Sequence, residues 1–230
     1  MVLGVLLQAV QTVQTTEAAV EPEVASLSIF ELAKAGGWIM IPLLLLCMLA
    51  VYIFVERLLV IRKASVKDPT FMDKIKDYIN EGKIDAALNL CRKTDTPYAR
   101  MIEKGVMRLG RPMNDVMVAI ENVGNLEVAK LEKGLSLLAT TAGGGPMIGF
   151  LGTVIGMIQA FFNMSNAGNN VDVSLLAGGI YTAMVTTVGG LIVGVIAYFA
   201  YNYLISLVDK VVSNMEARSM EFMDILNEPA

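Results

Sequence analysis

Three long apolar runs, each bounded by polar sequence, organise the chain. The first begins at Trp38 and reaches about Val55, the second covers roughly Leu135 to Met164, and the third about Leu175 to Leu204. As helices, each is long enough to cross the ~30 Å hydrocarbon core of a bilayer. At a rise of about 1.5 Å per residue the second reaches about 45 Å, so one of its ends should project into water. The pattern predicts an all-α integral membrane protein with transmembrane helices over 38–61, 134–164 and 175–205.

The segments between and beyond the runs are polar. Residues 62–133 read as a helical domain, with Asp68-Pro69, Thr96-Pro97 and Arg111-Pro112 as start signals. Helical spacing of apolar positions follows them, as in Ile75 and Ile79, then Ile84, Ala87, Leu88 and Cys91. From about Met113 no strong breaker precedes the second run, so that helix is expected to enter the membrane unbroken. Residues 1–27 form an arm whose apolar stretch, Val2 to Val10, is too short to span and has no Lys or Arg before it, which makes a poor signal peptide. Ser28 and Glu31 resemble a capping box opening a short interfacial amphipathic helix over 28–37, closed by Gly36 and Gly37. Residues 165–174 form a short loop and 206–230 a C-terminal helix.

Charge gives orientation. Residues 62–133 hold most of the Lys and Arg, the 165–173 link has none, and the arm has only Lys34. The positive-inside rule therefore predicts a cytoplasmic helical domain and tail, with the N-terminus and short loop outside, most simply periplasmic in a bacterial inner membrane. Trp38, Tyr198, Tyr201 and Tyr203 suit interfacial belts. Glu56 and Arg57, at the end of the first run, are expected to snorkel at the boundary, a gate or partner contact being the other reading.

Composition agrees: 55% of the 230 residues are hydrophobic, 17% are charged, and mean hydropathy is +0.58. Histidine is absent and the two cysteines, Cys47 and Cys91, lie far apart. No zinc motif, disulfide framework or Cys–His pair can be built from that inventory, so no cofactor and no enzyme activity is expected. Basic residues are mixed with acids and lack interleaved aromatics, which argues against nucleic acid. Their role is topology and attraction to anionic lipid.

At about 100° per residue the second and third runs each split into a small and a bulky arc. Gly145, Gly149, Gly152, Thr153, Gly156 and Ala160 share one arc of the second, with Met147, Phe150, Leu151 and Ile158 opposite. Gly179, Thr182, Ala183, Thr186, Thr187, Gly190 and Gly194 share one arc of the third. Small faces allow membrane helices to approach closely. Polar groups at membrane depth usually face a cavity or bundle interior, so Thr153, Thr182, Thr186 and Thr187 are candidates for a polar lining, which becomes an ion pathway under the resemblance below. Pro146 frees the carbonyl of Ala142, which suits a helix beside a cavity. Neither run contains Asp, Glu, Lys or Arg in its core, so if the protein conducts ions the titrating relay must come from another chain.

The run from Gly149 to Ile158 resembles the G-L-L-G-T-V-x-G-M signature of the MotA/TolQ/ExbB proton channel family, and Ala183 to Gly194 resembles its A-L-x-T-T-A-x-G-L span. With three spans the chain is most similar to the ExbB branch, with TolQ next. The resemblance implies a homo-oligomeric, pentameric ring whose second and third spans line a pore. Inside sit ExbD- or TolR-like single-span partners bearing an intramembrane aspartate, and proton flow powers a TonB-like transducer for outer-membrane transport. Thr153 and Thr187 match the family's pore threonines, while Thr182 stands where many ExbB chains carry glutamate. A ring of hydroxyls serves protons first and sodium as the alternative. Other readings are a TolQ-like role in envelope maintenance and a non-conducting scaffold ring. A membrane enzyme or substrate transporter fits less well, since no acid–base pair or inverted repeat is found.

Overall fold

A computed structural model describes residues 34–66, 68–166 and 173–227. The arm at 1–27, the capping-box residues Ser28 and Glu31, and most of the short loop lie outside the described residues. A 3-10 turn, Gly37–Ile39, leads into α1, Met40–Ala64. Four helices follow: α2, Phe71–Asn80; α3, Ile84–Thr94; α4, Pro97–Val106; and α5, Met113–Glu132. The two longest are α6, Leu135–Asn166, and α7, Val173–Asn227. No strand occurs among the described residues. Three stretches, within α1, α5–α6 and α7, are long and apolar enough to cross a membrane.

Two helix boundaries differ from the sequence expectation. The expected continuous helix into the second span is broken after Glu132: Lys133 leaves helical geometry with ψ 125° and Gly134 takes φ +84°. Only glycine adopts that left-handed conformation readily, so a Lys-Gly pair separates α5 from α6 without a proline. In contrast, the third span and the tail form one helix of 55 residues, about 80 Å long. Its far end is part of the helical bundle: Phe222 is fully buried, its ring seated on Gly105 of α4, and Val208, Val211 and Met215 join the same core.

The membrane-facing half is organised by close contact between α6 and α7, which run antiparallel. A side-chain carbon on Gly149 would lie 2.9 Å from the Thr186 carbonyl oxygen and 3.0 Å from the Cα of Gly190. On Gly190 it would lie 2.6 Å from the Gly145 carbonyl oxygen, and on Gly156 2.9 Å from the Ala183 methyl. The two small arcs therefore face each other within a single protomer. The Ala142 carbonyl freed by Pro146 lies against Gly194 in this packed seam, rather than beside a cavity. Helix α1 closes one flank of α7, with Met40 and Leu43 against Gly189.

A polar chain ties α1 to the bundle. Arg57 is only 8% exposed and does not snorkel: its guanidinium donates to Glu56 Oε1 at 2.8 Å and to the Lys130 carbonyl at 3.3 Å, near the C-terminal end of α5. Glu127, 3% exposed, accepts from Arg100 at 2.6 Å and from Lys130 Nζ at 2.7 Å, and Arg100 also reaches Asp95. Burial works against the Glu127 carboxylate, but the hydrogen bonds and charges of Arg100 and Lys130 outweigh it and hold its pKa below 4.5.

Two predictions follow from this packing. Gly190→Ala should destabilise the chain by about 1–3 kcal/mol, because backbone atoms cannot yield to the new methyl. Gly143→Ala, at a site with no neighbour within 4 Å, should be neutral or slightly stabilising. Thermal unfolding of both variants in detergent distinguishes them. Because Glu127 has a depressed folded pKa, its stabilising contribution is complete above pH 4.5 and is lost as pH falls through the lower folded value. Glu127→Gln should cost about 1–3 kcal/mol at pH 7 and flatten the acid limb of the unfolding profile below that window.

Candidate functional site

The four candidate threonines are distributed around the α6–α7 seam in three different settings. Thr186 is 1% exposed and closed over Gly152, and its hydroxyl donates to the Ala183 carbonyl at 2.7 Å. It fills the seam inside the protomer. Thr187 is half-buried and donates across the seam to the Gly149 carbonyl at 3.2 Å. Thr153 is also half-buried, stands one helical turn beyond Gly149, and donates to the Phe150 carbonyl at 2.6 Å. Thr153 and Thr187 thus share one flank of the paired helices.

Thr182 is half-buried elsewhere. Five residues before Thr187, it lies about 140° around α7, and seven residues before Gly189 it lies on nearly the same side as that glycine. Since Gly189 packs on Met40, Thr182 belongs to the α1 flank. The structure therefore brings Thr153 and Thr187 together and separates Thr182 from them.

The chemistry of the seam is neutral oxygen chemistry. Thr153 and Thr186 direct their hydroxyl protons to carbonyls of their own helix, which is the usual way for a hydroxyl to sit in a membrane helix. Thr187 instead spends its proton on the neighbouring helix, at the Gly149 carbonyl, where the two backbones approach closely. Thr153 also lines an open apolar groove along α6, with Val154, Met157, Ile158 and Phe161. Among the described residues no cluster of His, Cys, Asp or Glu could hold a metal ion. Cys91 is buried in the bundle, where burial pushes its thiol up to about 12 and keeps it protonated and unreactive.

Sequence reasoning did not foresee the Arg57–Lys130 and Arg100–Glu127–Lys130 contacts. Glu127 and Lys130 stand three apart on α5, a visible helical pair, but Arg100 is 27 residues away and nothing local announces it.

The MotA/TolQ/ExbB proton channel family model matches residues 93–217, more than half the chain, including all of the α6 and α7 seam. The biopolymer transport protein ExbB homolog of Methanothermobacter thermautotrophicus is 28% identical over 193 residues, covering 82% of this chain and 67% of that protein. An ExbB-like biopolymer transport protein of a Synechocystis species is 27% identical over 174 residues, 75% of this chain and 83% of its own. TolQ of the Tol-Pal system of Haemophilus influenzae is 35% identical over 136 residues, 59% of this chain and 54% of that one. An all-helical membrane protein whose two glycine-paired spans carry the family's signature runs, this chain belongs to the MotA/TolQ/ExbB proton channel family.

Proposed function

We propose that the chain is an ExbB-like ring subunit of an ion-driven inner-membrane motor, with α6 and α7 of each copy presenting Thr153 and Thr187 to a central path. The observation that carries this reading is the shared flank of those two residues, at a seam whose family-signature runs contain no ionisable side chain. The N-terminus is periplasmic, and the α2–α5 bundle and the end of α7 are cytoplasmic. A pentamer encloses ExbD- or TolR-like single-span partners that bring an intramembrane carboxyl, and the complex energises a TonB-like protein. Thr186 serves the seam, and Thr182 lies off the path on the α1 flank. The relatives named as biopolymer transport proteins support the Ton-type task over the Tol-type one.

Thr187→Val in the co-expressed complex should lower proton flux by about tenfold, equivalent to ~1.4 kcal/mol of barrier. Thr187→Ser should retain flux, and Thr182→Val should change it little. Native mass of the detergent-extracted complex shows whether each variant still assembles. Unchanged flux in a normally assembled Thr187→Val ring would leave the scaffold reading standing instead.

A further inference from the structure

Along the bundle, α5 and the end of α7 form the walls of a groove of about 780 Å³. Met117, Glu121, Gly124 and Val128 recur at helical spacing along one wall, about 17 Å in length. Met215, Ser219, Met220 and Met223 line the other. Met101 of α4 makes the floor, its methyl 3.0 Å from where a side chain on Gly124 would begin, so the glycine keeps the floor open. The groove's charged residues are Glu121, Glu216 and Asp224, and no Lys or Arg is among the described residues that line it. All three carboxylates are exposed, and none forms an ion pair among the described residues.

We propose that this groove is a docking site for a cationic amphipathic helix of a partner protein, held by an apolar stripe on the methionines and by Lys or Arg against the three carboxylates. Unbranched, polarisable methionine side chains adapt to the face of an inserted helix, and an apolar face laid into such a groove is a recurrent recognition mode. Met117 and Met220 are 47% and 63% exposed, a larger apolar surface than a charged helical bundle needs to leave in water. Lipid is not the occupant: Met220 lies about 24 Å beyond Leu204 along α7, and anionic headgroups would meet only carboxylates. The inference stands apart from ion conduction and needs no pore.

The test uses the full chain in nanodiscs of uncharged phosphatidylcholine, with empty discs subtracted. The probe is a fluorescent 18-residue helix of leucine and lysine with leucine at i, i+3, i+4 and i+7, and its control replaces every lysine by glutamate. Saturable binding of the lysine helix is expected, weakened at least about tenfold by raising salt and by the triple variant Glu121→Gln, Glu216→Gln, Asp224→Asn. Equal binding of the two helices, or of wild type and the triple variant, would overturn the proposal. A photoreactive residue placed at Met220 should crosslink to the lysine helix. Crosslinking there to a second copy of the chain, with the helix excluded, would overturn it by making the groove a contact between copies.

Discussion

The fold depends on how closely the backbones of α6 and α7 approach. Lipid tails are as apolar as leucine side chains, so these helices gain nothing by hiding from solvent. They associate through dispersion and hydrogen bonds made possible by short distances. Gly145, Gly149, Gly152 and Gly156 on one side and Gly179, Gly190 and Gly194 on the other meet main-chain atoms, the Ala160 and Ala183 methyls, the Thr186 side chain and the Pro146 ring. Once those faces pair, the remaining side chains have little freedom. Met147, Phe150, Met184 and Ile192 are turned outward and exposed, Gly189 is left to receive Met40, and Thr187 is brought to the Gly149 carbonyl.

The same seam determines how the membrane part meets the bundle. Helix α7 crosses the junction without interruption and ends among α4 and α5 with Phe222 on Gly105, so a tilt of its membrane half must displace its far end. Helix α6 has no such extension. The left-handed Gly134 separates it from α5, and Arg57 holds the end of α5 by the Lys130 carbonyl. One span is therefore rigidly continuous with the bundle and its partner is articulated. Arg57 is placed where the articulated side meets α1.

Much of this was legible in the sequence, because apolar length and the 100° division into small and bulky arcs are local properties. Trp38 to Val55, the proline starts at Thr96-Pro97 and Arg111-Pro112, and the Gly149 and Gly190 faces could all be read from residue type and spacing. What the small faces would meet could not. A glycine arc states that something comes close, and it is silent on whether that is the next span of the same chain or a neighbour. Gly134 was missed because a required positive φ leaves no periodic trace, and a lone glycine after lysine is weak punctuation. Arg57 was misjudged for a related reason. A charge at the end of an apolar run normally reaches for water, and its burial here rests on a carbonyl 73 residues away.

The hydroxyl directions carry a chemical consequence for the proposed path. A threonine has one proton to donate and two lone pairs to offer. Thr153 gives its proton to Phe150, and Thr187 gives its proton to Gly149, so each presents lone pairs to whatever passes. Such a surface offers oxygen ligands to a hydrated proton or a hard cation, but it cannot hold a charge or change one, because a threonine hydroxyl does not ionise in the physiological range. A coupled motor needs a group whose charge is switched by the ion it carries. With no Asp, Glu, Lys or Arg in the cores of the second and third spans, the hydroxyl flank can select and orient but cannot switch. In the proposed assembly the switching carboxyl therefore belongs to the enclosed partner, and the neutrality of this chain lets the partner's charge state alone determine when ring and partner move.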